Sequence, residues 1–203
     1  MQKKRVAILI SGRGSNMSAL IEAAKVPNYP AEVVVVIANK ADAAGLAAAR
    51  AEGIEAIAIP HRDFISKAEH EAAVSAALHA ANADVVCLAG YMRLISPEFV
   101  RQWEGRMLNI HPSLLPLFRG LHTHEQVLAS GMRVHGCTVH FVTEGMDEGP
   151  AIAQTAVAVK TGDTPATLAE RVLSVEHETY ARALALVASG KATMHEGRTV
   201  FSD

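Results

Sequence analysis

Three side chains of this sequence could together perform acyl transfer: Asn109, His111 and Asp147. Asn109 and His111 stand two apart in Asn109-Ile110-His111-Pro112, at the end of the apolar run 107–110, which reads as a strand. Residues i and i+2 of a strand point to one side, so the amide and the imidazole can face the same pocket. In acyl transfer an amide N–H stabilises the developing oxyanion and an imidazole moves protons. Taken alone, an Asn-x-His pair also fits a solvent-facing histidine at a strand end. Asp147 lies between Gly145 and Gly149, where the backbone can turn sharply and aim a carboxylate inward. A carboxylate beside His111 would fix its tautomer and stabilise its charged form. An ordinary acidic turn would instead leave Glu144, Asp147 and Glu148 solvated.

A second group can hold an anion. Ser11-Gly12-Arg13-Gly14-Ser15-Asn16 follows the first apolar run and opens the first helical stretch. Glycines let a ligand approach the backbone, and a helix N-terminus offers free N–H groups and the positive end of a dipole. Ser15 and Asn16 add side-chain donors. The pattern is neither G-x-G-x-x-G nor a Walker loop, and a tight turn before a capped helix fits it equally well. The ten histidines raise metal binding as a rival, with His122, His124, His135 and His140 close in sequence. No His-Glu-x-x-His and no Cys–His zinc spacing occurs, so hydrogen-bonded or surface histidines are expected and no metal. Cys87 and Cys137 sit in apolar runs and read as buried thiols in a reducing cytoplasm.

The elements that must position these groups are legible from periodicity. β-Branched runs at residues 6–10, 33–38, 56–59 and 85–89 alternate with Ala-rich helical stretches at 17–25, 43–52 and 68–81. Apolar strands each followed by a helix predict an α/β domain: a mostly parallel twisted sheet with helices on both faces, Rossmann-like in its N-terminal half. Ser96-Pro97 predicts a short helix start, and Thr164-Pro165 opens a long helix to about residue 189. Residues 112–124, rich in Pro, Gly and His, predict a long functional loop, followed by a helix over 125–130. Strands over 134–143 and 151–159 predict an antiparallel addition, and 192–201 a hairpin around Glu196-Gly197. A chain of 203 residues, half of them apolar, with net charge −2 and no repeat or linker, is expected to form one domain over 1–203. The scattered charge excludes the basic block of a general nucleic-acid binder, and no apolar run approaches membrane-spanning length. The basic start at Lys3, Lys4 and Arg5 precedes an apolar run too short for a signal peptide, so a cytoplasmic protein is expected.

In this order and spacing the motifs resemble the phosphoribosylglycinamide formyltransferases of purine synthesis. The resemblance rests on residues 11–16, Leu88-Ala89-Gly90-Tyr91-Met92-Arg93, Leu108-Asn109-Ile110-His111-Pro112-Ser113-Leu114-Leu115-Pro116, and residues 136–149, and it runs from about residue 6 to about residue 196. It implies transfer of the formyl group of 10-formyltetrahydrofolate, as co-substrate, to the amine of glycinamide ribonucleotide, without metal or covalent intermediate. By the resemblance Asn109, His111 and Asp147 are catalytic, with Asp147 holding His111 together with an ordered water. Gly14, Ser15 and Asn16 take the substrate phosphate, and Glu176 the ribose. Met92, Arg93, Leu94 and Ile95, together with Asn109, Val142, Thr143 and Glu144, line the folate site. Lys67 joins the folate site where some relatives have Arg, which keeps the charge and loses the planar fork. The N-terminal half is then chiefly the ribonucleotide half, and the C-terminal half carries folate binding and the catalytic loop.

Within the wider folate–formyl group the same trio serves other reactions. Methionyl-tRNA formyltransferases add a nucleic-acid-binding domain and formyltetrahydrofolate deformylases a regulatory one, and 203 residues leave room for neither. Hydrolysis of formyltetrahydrofolate is the enzymatic alternative, and a nucleotide-binding module the non-enzymatic one. The expected partners are small molecules, with no nucleic acid or membrane, in a monomer or homodimer.

Overall fold

Side-chain alternation along the apolar runs builds two cores back to back. In strand β1, Lys4–Ile10, the side chains of Val6, Ile8 and Ile10 enter one core and those of Ala7 and Leu9 the other. The same division holds in β2, Ala31–Ala38, and β4, Val85–Leu88. Strands apolar on both faces must be covered on both. Helices α1, Ser15–Lys25, and α2, Ala44–Ala51, cover one face. Helices α3, Lys67–Ala80, and α4, Pro97–Gln102, cover the other with Val74, Leu78 and Phe99. This is a computed structural model that describes residues 2–202.

The sheet has seven strands in the order β3-β2-β1-β4-β5-β6-β7, with β3 at Glu55–Ala58, β5 at Met107–His111, β6 at Val134–Phe141 and β7 at Ala151–Ala158. The five strands β1 to β5 pair in parallel; β6 and β7 run antiparallel. Between β5 and β6 lies α5, Thr123–Ser130, and after β7 comes α6, Pro165–Ala188. Thr164 caps α6 through the Thr167 N–H, with Thr167 returning a bond to the Thr164 N–H. Buried under the sheet, the Tyr180 hydroxyl reaches the carbonyls of Leu88 and Leu108, each at 3.1 Å, and so ties α6 to β4 and β5. A hairpin of β8, Ala192–His195, and β9, Arg198–Phe201, forms a separate two-stranded sheet.

The mostly parallel α/β sheet and its antiparallel addition are as expected; the differences are local. Helix α5 starts at Thr123, two residues early, because the Thr123 hydroxyl bonds the Pro112 carbonyl and pulls the chain into the helix. Strand β6 stops at Phe141, two residues before the expected end, with the Val142 N–H still bonded to the Met107 carbonyl in register with β5. A turn of 3-10 helix at His61–Asp63 carried no periodic signal. The predicted loop is ordered by its own bonds, among them Ser113 Oγ to the Leu117 carbonyl at 2.6 Å.

Helix α5 is fixed to β6 by an imidazole pair, His124 Nδ1 and His135 Nε2, 3.0 Å apart, with His135 1% exposed. One ring must donate and the other accept, so the pair cannot carry a proton at every nitrogen. Burial, then the neighbouring His124 and His111, pushes His135 down to about 4 from 6.5. The unfolded chain therefore binds more protons than the folded one between those values, and stability rises with pH across that window. The melting temperature is expected to fall as pH is lowered from 7 to 5. His135→Gln should melt over a narrower range across the same pH series; parallel curves for the two proteins would assign the effect to other groups.

Candidate active site

The chain leaves β1 toward β2 and returns to pair on the opposite side of β1 through β4, so a crevice opens beyond the carboxyl ends of β1 and β4. Residues 11–16 follow β1, residues 90–95 follow β4, and β5 ends beside them at His111. In β5 the side chain of Met107 packs among α3 and α4. Asn109 and His111 share that face by alternation.

The antiparallel pairing sets Asn109 opposite His140 and His111 opposite Thr138. Asn109 Nδ2 lies 3.2 Å from His140 Nε2, while His140 Nδ1 lies 2.8 Å from the Phe141 carbonyl. Burial, above all, lowers the pKa of His140, against the pull of the Phe141 carbonyl and of Asp147. A neutral ring that donates at Nδ1 must accept at Nε2. His140 thereby takes one Asn109 amide hydrogen and fixes the direction of the other.

His111 is 5% exposed and stands between two acceptors. Its Nε2 donates to the Phe118 carbonyl at 2.9 Å, and its Nδ1 lies 3.4 Å from Asp147 Oδ2. Only a ring protonated on both nitrogens satisfies both neighbours. The ring's orientation is therefore set by the loop carbonyl as well as by the carboxylate foreseen in the sequence. Asp147 itself has φ 54°, in the left-handed region that disfavours non-glycine residues, and its Oδ2 accepts the Gly120 N–H at 2.9 Å. Two contacts from residues 118–120 thus meet the two ionisable members of the trio.

The Asp147 turn is fastened on three sides. Phe141 N–H bonds the Pro150 carbonyl, Arg101 pairs with Glu144 at 2.6 Å, and Arg119 pairs with Glu148 at 2.6 Å. Glu144 was expected in the folate site; its side chain is turned toward α4, which leaves only its backbone for the cleft. A Cβ on Gly149 would stand 1.7 Å from the Phe141 carbonyl oxygen, so only glycine fits where the turn crosses β6.

The anion end is built from distant segments. Gly14, at φ 76°, precedes α1, and no side chain caps that helix. The Asn16 amide, expected to face a ligand with its donors, gives one to Glu176 Oε2 at 2.7 Å, and its buried Oδ1 has no hydrogen-bond partner among the described residues. Glu176 is 8% exposed, and burial raises its carboxyl pKa against the lowering effect of Asn16. In the strip after β4, Met92 and Leu94 are exposed, and Arg93, Leu94 and Ile95 line a small cavity with His70, Glu71 and Tyr91. Lys67 lies at the far end of that strip, 3.8 Å from Glu71, whose carboxylate bonds Ser96.

Sequence reading missed the part played by His140 and by the Phe118 carbonyl. His140 lay in a quoted motif, but only strand register pairs it with Asn109. A backbone acceptor leaves no trace in sequence at all. Among the described residues no cluster of three or more His, Cys, Asp or Glu side chains is arranged to hold a metal ion, and no helix is long and apolar enough to cross a membrane.

This arrangement, an amide and an imidazole–carboxylate pair beyond the carboxyl ends of parallel strands, accompanies a family match: the profile of the formyl transferase family covers residues 4–184. The chain belongs to the formyl transferase family. It is 44% identical over 191 residues to phosphoribosylglycinamide formyltransferase of Escherichia coli, a match that covers 94% of this chain and 90% of that protein. It is 51% identical over 195 residues to the human trifunctional purine biosynthetic protein adenosine-3, covering 96% of this chain and 19% of that protein. The chain thus spans about a fifth of the length of that relative. Among solved structures, phosphoribosylglycinamide formyltransferase from Brucella melitensis superposes with a TM-score of 0.90 at 57% identity, over 93% of this chain and 97% of that one.

The Gly149 geometry gives a direct test. Gly149→Ala is expected to displace the Asp147 turn, lower stability by about 1–3 kcal/mol, the usual cost of overpacking, and abolish most activity. Denaturant unfolding and an activity assay check this; wild-type values for both would mean that the turn yields freely at this position.

Proposed function

We propose that the protein transfers the formyl group of 10-formyltetrahydrofolate to the amine of N1-(5-phospho-D-ribosyl)glycinamide, yielding formylglycinamide ribonucleotide and tetrahydrofolate, a step of purine (IMP) synthesis. The observation that carries this reading is the trio: His111 between two acceptors, beside an amide whose free hydrogen is aimed by His140. Both halves of the chain form one catalytic unit. Gly14, Ser15 and Asn16 receive the phosphate at the start of α1, Glu176 the ribose, and residues 92–95 and 142–147 the pteridine. Lys67 meets the glutamate tail.

The chemistry follows from these positions. The amine attacks the formyl carbon, a nitrogen–carbon bond forms, and the carbonyl oxygen becomes an oxyanion. The free Asn109 N–H donates to it, an effect worth about 3–4 kcal/mol for a single well-placed donor, while His111, whose two nitrogens face the Phe118 carbonyl and Asp147, acts on it through its positive charge. The proton lost by the amine passes through the His111–Asp147 pair to N10 of the folate as the carbon–N10 bond breaks. The substrates are small molecules and the setting is the cytoplasm, with the chain acting as a monomer or homodimer. Formation of tetrahydrofolate with and without the ribonucleotide tests the reading: release that depends on the ribonucleotide is expected, and equal release without it would make the protein a hydrolase.

Asp147→Asn should lower kcat by about a hundredfold or more, the scale of general acid–base effects, and His111→Ala at least as much. The double variant should lose little beyond the worse single one, because Asp147 acts through His111. Fully additive losses in folded proteins would mean that the two work independently. Inorganic phosphate should compete with the ribonucleotide and not with folate; an unchanged KM for the ribonucleotide at high phosphate would move the anion site away from α1.

A further inference from the structure

The strip of residues 90–95 leaves β4 at Gly90, whose φ of 72° turns it out of the sheet. Its outer side chains anchor it poorly, since Met92 is 68% and Leu94 70% exposed. Among the described residues its backbone makes a single hydrogen bond: the Met92 N–H donates to Ser11 Oγ at 2.8 Å. Ser11 belongs to the segment after β1, across the crevice. It is 6% exposed, and its hydroxyl donates to Asn39 Oδ1 at 2.6 Å. Asn39, 3% exposed, is itself held, its N–H on the Ile10 carbonyl and its own carbonyl facing the His61 N–H and Nδ1. The hydroxyl therefore has a fixed direction: its one proton goes to Asn39, and a lone pair is left for Met92.

We propose that Ser11 is a positioning residue for the folate strip, holding it in register with the loop that receives the phosphate. The proposal rests on the reading of residues 92–95 as the pteridine segment. A strip that offers its backbone to a ligand must leave those groups unpaired in the protein, and so needs its position set by few bonds. Ser11 supplies that bond. Without the hydroxyl, the Met92 N–H and the buried Asn39 Oδ1 both lose their partner, which is costly where water is scarce. Loss of Ser11 should then act on folate affinity, since no atom of Ser11 is placed at the reacting centre.

The test compares wild type, Ser11→Ala, Ser11→Thr and Asn39→Ala. Tetrahydrofolate and inorganic phosphate affinities are measured by calorimetry, steady-state constants by formyl transfer, and the Met92 amide by hydrogen exchange. Ser11→Ala is expected to weaken tetrahydrofolate binding and raise the folate KM about five- to tenfold, the scale of one buried polar group left unpaired. Its kcat should change less than about threefold, and phosphate affinity should hold. The Met92 amide should exchange at least about tenfold faster than in wild type. Ser11→Thr, which keeps the hydroxyl, should recover most of the affinity, and Asn39→Ala should reproduce part of the loss. Wild-type folate affinity in Ser11→Ala, or an equally fast Met92 amide in both proteins, overturns the proposal. Failure of wild type to bind tetrahydrofolate would instead overturn the functional reading, and the exchange data would still decide the role of Ser11.

Discussion

Asn109 faces His140 across the seam where the parallel part of the sheet meets the antiparallel part, and the candidate chemistry depends on that register. A slip of one residue would turn both side chains to the opposite face, into the apolar core around Leu108 and Ile110. The register is held from both sides. Tyr180 ties the carbonyls of Leu88 and Leu108 from beneath, and Thr138 Oγ1 bonds the Ser113 carbonyl at 2.7 Å and the Leu115 N–H at 3.0 Å from the loop. The apolar alternation of β5 and β6 does the rest, because each has its other face buried.

From that seam the site is assembled by polar groups that complete one another. His140 is kept neutral by burial and so can serve as an acceptor for Asn109. His111 has acceptors at both nitrogens, the Phe118 carbonyl and the Asp147 carboxylate. Two imidazoles on neighbouring strands are thus given opposite tasks by their surroundings, one against carbonyl and amide, the other against carbonyl and carboxylate. Asp147 reaches His111 from a left-handed backbone conformation, a strain of about 1 kcal/mol or more. The Gly120 N–H, the Phe141–Pro150 bond and two surface ion pairs hold it there. The ion pairs are half-exposed, so they restrict the turn more than they stabilise it.

Much of this was legible beforehand. Alternating runs and helical spacing located every strand of the large sheet, because burial on two faces demands apolar residues throughout and turns demand Gly, Pro and Asn. Ser96 and Thr164 each cap the helix that follows, as their residue types imply. Element ends were less legible, since α5 begins early through a bond from the Thr123 hydroxyl to the Pro112 carbonyl. That bond joins residues 11 positions apart and leaves no local pattern.

The sequence by itself determined the α/β class, the positions of the parallel strands and the residue types of the trio, since each follows from local periodicity or from a short motif. Tertiary structure alone decided that Asn16 meets Glu176 from 160 positions away, that His140 directs Asn109, and that the Phe118 carbonyl completes His111. It also decided that Ser11 carries the strip after β4, and that Glu144 faces Arg101 rather than the cleft. The reason is the same in each case. A hydrogen bond between segments depends on where the sheet places their ends, and that is fixed by strand order and register, which no single stretch of sequence contains.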